Sequence, residues 1–319
     1  MAEMLLTIQH DGTLFTPPIL DEVKIEWERT GSPGKLTFTT LKVDGMSFTE
    51  GDAVCFYYDK TKVFMGYVFT KRRDKKQRIE VTCYDQLRYL KNKYTYVFEN
   101  KTATQIIKAL CKDYNLKTGT IANTNYSIPA IVEENISALD IVLSTLEETL
   151  LNTGKMYVLY DDFGKLKLTN VEDMVSEILV FEQSAEDFEY SSSIDDETYN
   201  SIVLYYRSDD SSKVQVFTAS NADKISQWGT LRYFEEVKTP NIGKTKAKQL
   251  LNLYCRKTRQ LKVNGVFGDC TVRGGTLIPV KLDLGDVKVS NYMLVEKVTH
   301  TFKNDHHNMD LTLEGAWED

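Results

Sequence analysis

At 319 residues the chain is long enough for two or three domains, each with its own core. Hydrophobic residues at 42% and charged residues at 27% are ordinary for a globular protein, while 18 Tyr and 14 Phe against 6 Pro point to abundant β structure and little disorder. A formal charge of −7 and a pI of about 5.3 argue against a protein built to grip nucleic acid, which needs a basic face, but leave room for a local basic patch.

The five cysteines, Cys55, Cys83, Cys111, Cys255 and Cys270, form no CxxC pair and no disulfide framework. They read as small hydrophobes in a reducing compartment. The N-terminal Met-Ala-Glu-Met-Leu-Leu is too short and too acidic for a signal peptide, and no apolar run approaches membrane-spanning length. The expectation is a chain made in a cytoplasm and not inserted in a membrane.

Residues 1–100 read as a β domain. Strand candidates are 5–9, 23–28, 36–40, 53–58, 62–70, 78–84 and 94–98. Val23, Ile25 and Trp27 alternate with Lys24, Glu26 and Glu28, as in a sheet wet on one side. Asp59–Lys62 is a tight turn, Lys71–Lys76 a charged hairpin tip, and 85–92 a short closing helix. Seven short strands joined as hairpins fit a barrel or a sandwich.

Residues 101–190 carry the clearest helices. Thr102 and Gln105 form a capping box ahead of Ala103, Ile106, Ile107, Leu110 and Tyr114, and Asn115 suits a left-handed stop. An extended piece follows at 126–132. Ser137-Ala-Leu-Asp140 caps a second helix carrying Leu139, Val142, Leu143, Leu146 and Leu150, which stops at Gly154. Strands at 156–160 and 166–169, joined by Asp161-Asp-Phe-Gly164, read as a hairpin, with another strand at 178–181.

Residues 191–319 return to β, with strands at 201–206, 214–218, 231–236, 261–266, 277–282, 292–302 and 309–314. One helix interrupts them, with Ala247, Leu250, Leu251 and Tyr254 on one face. An internal repeat is the most informative feature. Gly51 precedes a strand, a turn, a long strand, a charged tip and the alternating strand 79–84; Gly275 precedes the same order, ending at 309–314. Three successive antiparallel strands also recur by chance, so the order alone does not establish duplication.

Candidate chemistry is sparse. His10, His300, His306 and His307 do not make a metal set; His306 and His307 sit side by side in a loop that reads as a solvated hairpin tip. No GxSxG and no catalytic Cys motif occurs. The carboxylate pairs Glu133-Glu134, Glu147-Glu148, Asp161-Asp162, Asp195-Asp196-Glu197 and Asp209-Asp210 fall in loops or on polar helix faces, where solvation explains them better than glycan cleavage. No phosphate-binding glycine loop is present, since Gly274-Gly275 lies between strands. Trp317 reads as an interface anchor or a barrel-end cover. Neither catalytic, cofactor-binding nor metal residues are assigned.

The runs Thr102–Leu116, Ile136–Leu143 and Gly154–Tyr160 resemble the insert module of the phage late control protein D family, the baseplate hub proteins of contractile tails. Asp196–Leu204 resembles the start of that family's second barrel, and Ala222–Gly229 a segment ahead of its helix. The resemblance implies a mainly β fold with an α+β insert: two tail-tube-like β-barrel domains, 1–100 and 191–319, flanking a small α+β module, 101–190. It implies a homotrimer whose six barrels match a hexameric tail tube protein on one side and a trimeric central spike protein on the other. Baseplate wedge and tape measure proteins are further implied partners, in a virion or tail-like particle assembled in the host cytoplasm. No enzyme activity, no cofactor and no stable nucleic-acid binding are implied, and a spike or lytic activity would belong to separate proteins. The alternatives are a tail-associated peptidoglycan hydrolase and a carbohydrate-binding β protein.

Overall fold

Alternation with a period of two governs the first hundred residues in three dimensions. The computed structural model describes residues 3–195, 197–207, 214–237, 240–283, 285 and 288–315; Asp196, Asp209, Asp210 and Trp317 lie outside them. In the strand Ile19–Glu28 the buried residues are Val23, Ile25 and Trp27, and in Lys35–Leu41 they are Leu36, Phe38 and Thr40. Both are members of one 13-stranded sheet drawn mainly from the beginning and the end of the chain, with two strands from its middle.

The path of that sheet starts at Asp187–Ser193 and continues through Thr258–Phe267, His306–Glu314 and Lys288–Lys303. It passes to Ile19–Glu28, Lys35–Leu41, Arg78–Tyr84, Thr61–Arg73 and Ala53–Tyr58, and ends at Met4–His10 and Thr13–Phe15. Leu277–Asp283 branches off beside Lys288–Lys303, with the two-residue strand Val180–Phe181 beside it. Among the described residues the path is open, so the two flanking barrels expected from the resemblance are not drawn by strand pairing within one chain. Antiparallel pairing of Lys297–Phe302 with Val23–Glu28 joins the first and last β segments. Behind it Phe56 packs edge-on against Phe302, with ring centroids 4.9 Å apart.

The internal repeat is real at atomic detail. Ala53–Tyr58, Thr61–Arg73 and Arg78–Tyr84 form an antiparallel meander, and so do Leu277–Asp283, Lys288–Lys303 and His306–Glu314. Gly51 (φ 93°) and Gly275 (φ 95°) occupy equivalent left-handed positions. The Gly51 amide donates to Val68 O at 2.8 Å and the Val68 amide to Asp52 O at 2.9 Å. Likewise the Gly275 amide donates to Val295 O at 2.8 Å and the Val295 amide to Thr276 O at 2.9 Å. A bulge follows in both, between Val68 and Thr70 and between Val295 and Lys297. A fourth strand lies beside the last strand of each meander, Lys35–Leu41 in one and Thr258–Phe267 in the other.

The chain forms two compact units. The first comprises Met1–Thr149, Lys155–Glu189 and Leu261–Asp319; the second comprises Leu150–Gly154 and Tyr190–Gln260. The helices Ala103–Asp113 and Ala138–Thr153 belong largely to the first. Thr102 and Gln105 make the expected capping box, Ser137 and Asp140 bond across the start of the second helix, and Asn115 (φ 52°) and Gly154 (φ 72°) follow their ends. Their apolar faces share a core with Leu87 and Leu90 of the 3-10 turn Gln86–Lys91 and with Leu159, Leu166 and Leu168 of the expected hairpin. The extended piece is a longer strand, Ser127–Ser137, paired with Lys93–Thr102.

In the second unit Val214–Ser220, Ser201–Arg207 and Arg232–Glu236 form a three-stranded sheet whose inner face, Ile202 and Leu204, packs on Ala247 and Leu250 of the helix Gly243–Tyr254. A second helix, Ala222–Trp228, was not expected from periodicity. Its seven residues are capped by Asn221, which accepts from the Lys224 amide at 3.0 Å.

Candidate functional site

Turns and strand ends that flank the meanders place polar groups in the interior of the first unit. Asp85 follows the strand Arg78–Tyr84 and caps the turn Gln86–Lys91. Its carboxylate accepts the Gly34 amide at 2.8 Å and the Leu87 amide at 3.0 Å. Next to it Gln86 donates to Asp161 at 2.9 Å and accepts from the Lys117 amide at 3.0 Å. Asp161 also accepts the Gly164 amide at 2.6 Å. Arg273, two residues before Gly275, donates to Asp161 O at 2.8 Å. Its guanidinium lies 4.9 Å from the Trp27 ring centroid and 4.5 Å from that of Tyr160. Segments from the beginning, middle and end of the chain thus meet on one buried polar cluster.

Burial pushes the Asp85 carboxyl well above the usual range, and the neighbouring Asp161 adds to the rise; burial likewise raises Asp161, with Gln86, Gly164 and Arg273 opposing. Two carboxyls with raised pKa are the equipment of a general acid. Here they are only 2% and 6% exposed, and the oxygens of each already accept hydrogen bonds, so no substrate atom can reach them. The cluster holds segments together. The sequence reading of Asp161 as a solvated turn residue is therefore corrected: its carboxyl folds inward to close its own hairpin through Gly164.

The histidines require a second correction. His300 is fully buried, and His307 sits at 9% exposure on the inner face of the last strand, while His306 alone faces solvent. The period-two alternation of Val298, His300 and Phe302 explains why His300 points inward. His300 Nε2 lies 2.9 Å from Val272 O, which can only accept, so Nε2 carries the proton. His300 Nδ1 then accepts from His307 Nε2 at 2.8 Å, which leaves His307 Nδ1 as an acceptor, 3.9 Å from Cys270 Sγ. Burial lowers the pKa of His300 to about 3 and of His307 to about 4. Burial also raises the Cys270 thiol to about 12, so it is no nucleophile.

Among the described residues no group of three or more His, Cys, Asp or Glu side chains is placed to hold a metal, and all five cysteines are free thiols. No helix of the described residues is long and apolar enough to cross a membrane. A groove of about 510 Å³ is lined by Glu26, Glu28, Lys35, Tyr84 and Arg88. Its carboxylates are already paired: Glu26 with Lys35 at 2.8 Å, and Glu28 with Lys297 at 3.1 Å. The junction itself, Val23–Glu28 against Lys297–Phe302, is the arrangement that sequence reasoning missed. The signal was the repeat, which placed two meanders in one chain without saying that they share a sheet.

Two equivalent meanders share one sheet, with the helical module and the second unit between them in sequence, and solved phage tail proteins share this fold. The 43 kDa tail protein of prophage MuSo2 from Shewanella oneidensis superposes with a TM-score of 0.72 at 14% identity, over 97% of this chain and 98% of that one. The Escherichia coli c3393 protein, a type VI secretion component with structural similarity to the T4 tail proteins gp27 and gp5, gives 0.58 at 12% identity, over 98% of this chain and 77% of its own. The chain belongs to the YqbQ-like family, whose sequence profile matches residues 23–314. It is 33% identical over 307 residues to uncharacterized protein YqbQ of Bacillus subtilis (strain 168), covering 92% of this chain and 91% of YqbQ. It is 30% identical over 305 residues to the phage-like element PBSX protein XkdQ of the same strain, with the same coverage. The fold shared with these tail proteins thus covers 97–98% of the chain.

Proposed function

We propose that this chain is the structural hub of a contractile-tail baseplate, in a phage or a tail-like particle. Three copies form a pseudo-sixfold ring that joins a hexameric tail tube to a trimeric spike. The repeat carries this reading: the matching Gly51 and Gly275 turns give one chain two equivalent meanders in one sheet. Two equivalent units per chain let a threefold object present six similar faces. In this reading 1–100 is the first tube-like barrel, 101–190 the insert and 191–319 the second barrel. Each barrel is completed by neighbouring copies, which would account for the open path within a single chain.

The work of such a hub is assembly, without reaction chemistry. Its buried carboxyls and neutral histidines fit that role, because capped or hydrogen-bonded groups stiffen an interior. Co-expression with the tube and spike proteins of the same tail, followed by negative-stain imaging, tests it. Rings of three copies with a central pore are expected. A chain that stays monomeric and binds neither partner would sink the reading.

A further inference from the structure

The two meanders differ in what lies beside the far half of the long strand. In the second, residues 297–302 are flanked by His306–Glu314 on one side and Ile19–Glu28 on the other. In the first, residues 70–73 pair with Arg78–Tyr84 only, and among the described residues no strand covers their other edge. The repeat identifies the missing neighbour. Ile19–Glu28 sits beside Lys35–Leu41, the fourth strand of the first meander. The equivalent place, beside Thr258–Phe267, is held by Asp187–Ser193, which ends the sheet path with its outer edge unpaired among the described residues.

We propose that the strand Asp187–Ser193 of one copy of this chain pairs antiparallel with the exposed edge Thr70–Arg73 of a second copy, repeating between chains the junction seen within one. The proposal rests on the ring reading above, and charge supports the second copy as occupant. The antiparallel direction of the observed junction sets the hairpin tip against the beginning of Asp187–Ser193. The tip carries Lys71, Arg72, Arg73, Lys75 and Lys76, while the opposing end carries Glu186, Asp187 and Glu189. The sequence between Lys167 and Arg207 contains no Lys, Arg or His, so no cation of that stretch competes for the tip's place. Asp74, the one acid of the tip, accepts from the Lys76 and Arg78 amides and from Arg78 Nε at 2.9 Å. That fixes the turn and leaves Arg72, Arg73, Lys75 and Lys76 without an ion pair among the described residues, with Glu80 opposite Arg72 in the register. Glu189 meets Lys262 at 3.1 Å in a pair exposed on the sheet surface. The junction inside the chain is laced in the same way, Lys297 reaching both Glu26 and Glu28.

The test uses the full chain, prepared as an equal mixture of ¹⁴N- and ¹⁵N-labelled protein and treated with a carbodiimide. Mixed-label cross-links between Lys75 or Lys76 and Glu186, Asp187 or Glu189 are expected. In parallel, the Arg73→Glu/Lys75→Glu chain and the Asp187→Lys/Glu189→Lys chain should each raise the concentration needed for assembly about tenfold, and a chain carrying all four changes should return toward wild type. Wild-type rings that give no such cross-links and ignore the charge changes would overturn this pairing and leave the ring reading standing. Mixed-label cross-links between chains that never form three-copy rings would keep the pairing and sink the ring. Same-label cross-links only, or no assembly and no cross-links, would overturn the pairing as well.

Discussion

The two halves of the repeat follow the same backbone course and carry opposite side chains at its tip. Val298 and His300 are buried beside Trp27 and Ile25, whereas the equivalent Lys71 and Arg73 lie half-covered or face outward. Lys71 lies over the Phe48 ring and bonds to Phe48 O, and Arg73 projects. The difference teaches that the backbone pattern belongs to the repeat, whereas the chemistry at each edge is set by what covers it. An edge roofed by a strand of the same chain can be apolar. An edge that must survive in water until a partner arrives has to be charged.

The largest break of this comparison comes from truncating one side chain at each tip. Phe302→Ala removes a fully buried ring packed on Phe56, Tyr58 and His307, and should cost about 3–5 kcal/mol in urea unfolding. Lys75→Ala should stay within about 0.5 kcal/mol. Equal losses at the two sites would show that the first tip is also core.

Acid separates the two tips next. His300 and His307 are held neutral, with folded pKa values of about 3 and about 4, below the unfolded value near 6.5. The unfolded chain therefore binds more protons between those values. Their contribution is complete above about pH 6.5 and is lost as pH falls toward 4, at up to about 1.4 kcal/mol per pH unit for each ring. Asp269 near His307 works weakly against the shift. Asp85 and Asp161, raised by burial, have the opposite pH slope, so the comparison of choice is wild type minus His307→Gln. That difference should shrink from pH 7 to pH 5; a flat difference would mean that His307 is not held neutral.

A smaller effect sharpens the equivalence of the turns. Gly51→Ala meets open space and pays only the left-handed strain, about 1–2 kcal/mol. Gly275→Ala pays the same strain and also brings its Cβ to 2.7 Å from Val158 Cγ2, so it should cost more. Thermal unfolding in the order wild type, Gly51→Ala, Gly275→Ala checks this. Smallest of all, Lys297→Ala should cost about 0.5 kcal/mol and lose that effect in high salt, because its pairs with Glu26 and Glu28 are partly exposed.

Much of the fold was legible from local chemistry. Both helix caps, both stops and the Asp161–Gly164 hairpin follow from residues that act within four positions of one another. The order of the repeat was legible because Gly51 and Gly275 punctuate it. What stayed hidden depends on distant partners. Asp187-Phe-Glu-Tyr-Ser-Ser-Ser193 carries weak strand propensity and becomes a strand through Thr258–Phe267. His307 looked like a hairpin tip because its neighbours are Asp305, His306 and Asn308, and its contacts with His300, Phe302 and Tyr58 make it core. Gln86 and Arg273 had no local signal at all, since their partners lie 75 and 112 residues away.

Hydrogen exchange on the full chain, dilute and then assembled into rings, tests the central claim most directly. In the dilute chain the amides of 297–302 should be protected, while the outward amides of 70–73 and of 187–193 exchange freely. On assembly the two free edges should gain protection together and approach the rates of 297–302. Rings that form while both edges keep exchanging as in the dilute chain would contradict the account.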